Sequence, residues 1–200
     1  DNNTFVGYNA GYSTVDVDKV VAIGTSAGAA NMTSAADGTV AVGYKALQVL
    51  TTGANNTSIG YQSMLATTTG LNNTALGYQA LKTNIDGDNN VAIGNLSLYT
   101  FEANSDSDGC NTAVGANSGY LVSTGQDNVL IGENSGWINS GVSLTTGSDN
   151  TLLGTHSAIG AAGASNRTAI GNAVTAVADH SVTLGNASVT AVYMGQDGAT

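Results

Sequence analysis

Two histidines, His156 and His180, and a single cysteine, Cys110, are the only residues of the familiar nucleophile and base chemistry beyond hydroxyls and acids. Ser157 adjoins His156, and a hydroxyl beside a base is the start of a nucleophilic constellation. That serine, however, falls in a column held elsewhere by Ala or Ser, which reads as packing. Glycosidase chemistry needs two carboxyl groups facing one groove, and the acids here cluster in turn-like stretches. The expectation is therefore no catalytic residue and no enzyme. For a hard cation the pattern is better: Asn104-Ser105-Asp106-Ser107-Asp108-Gly109 alternates oxygen ligands and then turns at glycine. Asn104, Asp106 and Asp108 are the candidate calcium ligands. The glutamate expected at the twelfth position is replaced by Gly115, and a solvated acidic loop is the competing reading. Asp86-Gly87-Asp88 and Asp16-Val17-Asp18 are lesser versions of the same pattern. No other cofactor is expected.

Charge removes further classes. Four Lys plus Arg stand against 14 Asp plus Glu, a formal net charge of -10. Nucleic-acid binding needs clustered cations, and Lys19, Lys45, Lys82 and Arg167 are scattered. An anionic membrane surface is disfavoured likewise, and no run of about 18 apolar residues exists to span a bilayer.

What must position these residues is a repeat. A motif of polar residue, Thr or Val, small residue, aliphatic residue and Gly recurs along the whole chain. Six of the eleven intervals between its glycines are 17 residues, with others of 19, 21, 22, 14 and 10. Val42-Gly43, Ile59-Gly60, Leu76-Gly77 and Ile93-Gly94 are its clearest endings, and Asn56, Asn73 and Asn90 precede its strands. Thr or Val stands three before the glycine and an aliphatic one before it, usually with Ala between. β-Branched and aliphatic residues two apart predict a short strand with one packed face, the small residues opposite allowing close approach to something else. Glycine predicts a bend, and the Thr/Ser/Gly/Asn stretch that follows predicts a turn. Each unit thus reads as strand, bend, short second strand and turn. A 17-residue unit cannot bury an apolar face alone, whereas stacked units share a continuous core. The fold expected is all-β: a parallel β-solenoid or β-roll of about eleven coils, with residues 1–185 as the array and residues 186–200 as a degenerate terminal repeat. The absence of proline fits strands paired on both sides. The asparagines would form a side-chain ladder or simply suit a turn.

In such a stack, Tyr8, Tyr44, Tyr61 and Tyr78 follow their glycines directly, and Tyr12, Tyr99, Tyr120 and Trp137 fall five positions after theirs. One per coil, they would make stripes that pack at corners or bind sugar rings, with packing the preferred reading. Cys110 takes a column held by Asn55 and Asn72 and reads as an inert thiol.

The units Gly43-Tyr44-Lys45-Ala46-Leu47 and Gly77-Tyr78-Gln79-Ala80-Leu81, joined through Thr51-Thr52-Gly53-Ala54-Asn55 and its equivalents, resemble repeats of bacteriophage tail-fibre-like proteins. They are also similar to the head repeat of YadA-type trimeric autotransporter adhesins, usually nearer 14 residues, as is the interval from Gly171 to Gly185. The resemblance covers essentially the whole chain. It implies a homotrimeric fibre of β-rolls, acting as a rigid shaft for host attachment on a virion or cell surface. A self-cleaving C-terminal chaperone tends to follow in that family. The partners expected are therefore other copies of the chain, as a homotrimer or an end-to-end polymer, with host polysaccharide as a further candidate. A surface-binding adhesin and a self-polymerising filament are the alternatives. The opening Asn2-Asn3-Thr4 matches Asn72-Asn73-Thr74, so these residues read as a segment of something longer or as one subunit of a polymer.

Overall fold

The structure, a computed structural model, describes residues 2–103, 108–137 and 141–192. Its strands are β1 (Thr4–Val6), β2 (Val21–Ile23), β3 (Val40–Val42), β4 (Thr57–Ile59), β5 (Thr74–Leu76), β6 (Val91–Ile93), β7 (Thr112–Val114), β8 (Val129–Ile131), β9 (Thr151–Leu153), β10 (Arg167–Ile170) and β11 (Ser181–Leu184). They form one parallel sheet in chain order, so the chain is an all-β parallel solenoid of about ten turns. The only helical element among the described residues is a 3-10 turn, Ser34–Ala36.

Pairing is residue for residue. Thr57, Ser58 and Ile59 lie opposite Thr74, Ala75 and Leu76, which lie opposite Val91, Ala92 and Ile93. Longer intervals do not shift the register: Val91 still faces Thr112, and Val129 still faces Thr151. The additions fall between the strands and leave the ladder in step, whereas a slip of one residue would exchange the inner and outer faces of every later strand.

Two expectations are corrected. First, the strand faces are reversed. The small middle residues, Ala22, Ala41, Ala75, Ala92, Ala113 and Ala169, are fully buried inside the coil. The aliphatic residue before each glycine points outward: Val6, Ile59, Leu76, Leu153 and Leu184 are 37 to 55% exposed. The strand and the other wall share the space inside the coil. The wall supplies Leu47, Leu50, Met64, Leu81, Leu98, Phe101 and Val122, all fully buried, so most strands turn in only a methyl. By contrast, β8 and β9 turn in the fully buried Leu130 and Leu152, with Gly119 and Gly136 of the wall lying against Leu130. Second, the second half of the coil forms no second strand. It is a run of turns in which alternate residues take positive φ: Lys45 and Leu47 at 56° and 48°, Gln79 and Leu81 at 51° and 50°. This left-handed geometry costs an ordinary residue roughly 1–2 kcal/mol, which hydrogen bonding to neighbouring coils and burial of the Leu and Met side chains offset. Leu81 N–H, for example, donates to Ser97 O at 2.9 Å, and Gln79 N–H to Tyr61 O at 2.9 Å.

The asparagine column joins the coils from inside. Asn56, Asn73, Asn90, Asn111, Asn128 and Asn150 are fully buried. Each Oδ1 accepts from the backbone N–H of the next member: Asn73 N–H to Asn56 at 2.9 Å, Asn90 to Asn73 at 2.9 Å, Asn128 to Asn111 at 3.1 Å. Each Nδ2 reaches a backbone carbonyl, as Asn73 does Gly87 O at 2.8 Å and Asn128 does Gly147 O at 3.0 Å. Each of these amide groups therefore both accepts and donates, which offsets the cost of burying a polar residue here.

The column ends on a cation. Arg167 N–H donates to Asn150 Oδ1 at 3.0 Å, while its guanidinium donates to Ile159 O at 2.7 Å, Ala176 O at 3.2 Å and Asp179 Oδ1 at 2.7 Å. The next strand follows after 14 residues rather than 17, and the longer arginine reaches carbonyls that an asparagine could not. The Arg167 hydrogen bond, with a second from Ser165 N–H, holds the Asp179 carboxyl below its ordinary pKa. A lowered carboxyl pKa stabilises above the unfolded value and loses that contribution as pH falls through the folded value. The last coil is accordingly expected to become protease-sensitive at acid pH before the rest of the rod does. Asp179→Asn should make cleavage there far less dependent on pH, which timed proteolysis would show.

Candidate functional site

The outward surface carries three ordered features. The first is the sheet itself. Its Thr/Val column is half-buried and its aliphatic column largely exposed, and neither contains a charged residue over eleven strands. On a chain of net charge -10, that strip is where like-charge repulsion between copies would be least.

The second is a pair of aromatic ladders. Tyr44, Tyr61 and Tyr78 stack with centroids 5.2 and 5.3 Å apart and planes 18° and 8° from parallel. Tyr99 and Tyr120 stack at 5.2 Å and 11°, and Trp137 continues that ladder at 5.2 Å, tilted by 50°. The inner faces of these rings cover one another, so edges and hydroxyls meet solvent. The upstream end of the second ladder is capped by Lys82, whose Nζ lies 5.1 Å from the Tyr99 centroid and 3.3 Å from its hydroxyl. Lys82 occupies the Tyr99 column one coil earlier, which places its ammonium over the open ring face.

The third is a polar column one residue beyond the first tyrosine ladder. Gln79 Nε2 donates to Gln62 Oε1 at 2.8 Å, Asn117 Nδ2 to Asn134 Oδ1 at 3.1 Å, and Asn134 Nδ2 meets His156 Nε2 at 3.1 Å. Sequence reasoning missed this column. Its signal was the recurrence of Gln and Asn two residues after Gly60, Gly77, Gly115 and Gly132.

The residues singled out for chemistry are dispersed. His156 is an exposed member of that polar column, while Ser157 is buried with its Oγ 3.0 Å from Ser135 Oγ. His180 pairs with Asn166 at 2.8 Å in a different column. Cys110 is exposed, yet partial desolvation, with Asp127 and Asp88 nearby, raises its pKa, keeping it a thiol rather than the thiolate a nucleophile needs. Of the candidate calcium ligands, Asn104 and Asp106 lie outside the described residues, as do Ser105 and Ser107. Asp108 is described, and its carbonyl accepts from Asp88 N–H at 3.0 Å. The Asp88 carboxylate is itself engaged, accepting from Leu71 N–H at 2.7 Å. Beside this loop, desolvation raises the Glu102 pKa, against a lowering hydrogen bond from Ile85 N–H at 2.8 Å. Among the described residues no group of three or more His, Cys, Asp or Glu is placed to hold a metal.

The arrangement as a whole is one of long, regular columns rather than a converging site. No protein-family model matches the chain, and no curated protein matches it at a significant level.

Proposed function

We propose that the chain is part of a structural fibre shaft, a rigid spacer built from copies of itself, carried on a viral tail fibre or a cell-surface appendage and serving host attachment. The observation that carries this reading is the charge-free aliphatic strip on the outer face of an unbroken eleven-stranded sheet. Exposed apolar area arranged as a continuous line, one residue per coil, is suited to burial against an equally periodic partner, and a second copy has that period by construction. A homotrimer, in which three strips converge on a common axis, fits best with the resemblance in the repeat. The work done is mechanical: at ~4.8 Å per coil the array spans roughly 50 Å with coils bonded at every turn. Nothing in this reading requires a catalytic step or a cofactor.

Light scattering combined with negative-stain imaging tests it. Discrete trimers of short rods are expected, polymers of indefinite length would favour a self-polymerising filament, and a clean monomer at high concentration would overturn self-association. The double variant Ile59→Asp/Leu76→Asp sharpens the test. Both side chains are outward and partly exposed, so the single coil should keep its fold. Two carboxylates placed in an apolar interface should raise the dissociation constant by about a hundredfold or more.

A further inference from the structure

The tyrosine ladder of the third to fifth coils lies across the glycine bend from the aliphatic strip, each ring two residues after a member of that strip. Tyr44, Tyr61 and Tyr78 keep 41 to 46% of their surface exposed although their faces are stacked. Among the described residues none of the three hydroxyls has a hydrogen-bond partner. The adjoining column supplies Lys45, Gln62 and Gln79, so over these three coils an ammonium and two amides run beside three phenols with no carboxylate in either column; the first carboxylate of the tyrosine column is Glu133, three coils further on.

We propose that this strip docks a neutral, extended polysaccharide laid along the rod. Three features select that ligand class. Successive ring centroids lie 5.2 to 5.3 Å apart on coils that rise by ~4.8 Å, and a pyranose in an extended β-1,4-linked chain advances by about one such step, so each sugar would meet one phenol. A peptide strand, rising about 3.3 Å per residue, falls out of step at once. The net charge of -10 repels nucleic acids and acidic glycans, leaving neutral ones. Chemically, phenol and amide groups offer both donors and acceptors, as the sugar hydroxyls require. Contact is along ring edges and hydroxyls, because the ring faces are already occupied by one another.

The test is retention of the full chain by amorphous cellulose, an extended β-1,4-glucan, against amylose, which coils. Retention on cellulose and not on amylose is expected. The triple variant Tyr44→Phe/Tyr61→Phe/Tyr78→Phe preserves the stacked rings and removes only the hydroxyls. It should bind about tenfold more weakly or worse, with melting temperature and solution mass unchanged. No retention of the wild-type chain, equal retention on amylose, or undiminished binding by the triple variant would each overturn the proposal. The unchanged mass separates this outcome from any failure of self-association.

Discussion

Gly77→Ala is expected to destabilise the rod by about 4 kcal/mol, adding left-handed backbone strain to an overpacking cost. Gly77 sits at φ +145°, a conformation that L residues rarely adopt, directly after β5. A Cβ built there would lie 2.3 Å from the Gly94 carbonyl oxygen and 2.6 Å from its carbon, which are backbone atoms of the next coil. They cannot move aside, since Gly94 stands in the same relation to Gly115, where the corresponding distance is 2.4 Å. Any displacement must be passed along the stack or open the β5–β6 contact. Gly163→Ala is the matched control. It lacks positive φ, and its added methyl would meet only the Thr146 hydroxyl, at 3.2 Å. That change should stay within about 0.5 kcal/mol of wild type. Chemical denaturation of both variants decides the point, and a Gly77→Ala protein as stable as the control would refute the close-approach account of the glycine column.

The glycine column was readable from the sequence because parallel in-register stacking makes each coil the template of the next. What one coil needs at a position, every coil needs there, so Gly43, Gly60, Gly77 and Gly94 repeat together with their Val, Ile or Leu neighbours. The inner and outer sense of the strand was not readable. Alternation over three residues, Thr74-Ala75-Leu76, is symmetrical with respect to which side is the core. The decision comes from the width of the coil, which depends on the far wall. That wall was itself misread as a strand. Leu47, Met64 and Leu81 are ordinary strand or helix residues by type, and only tertiary burial holds them near φ +50°. A subtler signal was present: none of the described non-glycine residues with positive φ is Val, Ile or Thr, the types whose branched Cβ fits that region worst. Of the outward features, the tyrosine columns stand out by spacing alone. The glutamine and asparagine column is a fainter signal, because Gln62, Gln79, Asn117 and Asn134 share it with Lys45, Leu96 and His156, and the side-chain bonding makes it plain.

The asparagine column permits the most discriminating change, because Asn73→Leu removes both the acceptor and the donor of the amide whereas Asn73→Asp removes only the donor. Asn73 Oδ1 accepts from Asn90 N–H at 2.9 Å and Asn90 Nδ2 at 3.0 Å, while its Nδ2 donates to Gly87 O at 2.8 Å. Leucine leaves the Asn90 N–H buried without an acceptor. The Gly87 carbonyl still accepts from Asn84 Nδ2 at 2.9 Å, so the loss centres on one orphaned donor, about 3 kcal/mol and independent of pH. Aspartate keeps the acceptor but turns a second oxygen toward the Gly87 carbonyl, in a site with no solvent exposure. Burial raises the pKa of such a carboxyl, since the charged form loses its hydration. Folding then favours the protonated acid, whose O–H can replace the amide donor to Gly87. The sign follows: stability is greatest below the unfolded carboxyl pKa and falls as pH rises toward the folded one, by about 1.4 kcal/mol for each unit between them. Relative to wild type, Asn73→Asp should therefore be nearly neutral near pH 4 and weakened by about 3 kcal/mol or more at pH 8. Asn73→Leu should show the same deficit at both. Denaturation curves at the two pH values, each referenced to wild type, separate the cases. Parallel behaviour of the two variants would mean that the column acts by filling space and not by the donor and acceptor pairing that links one coil to the next.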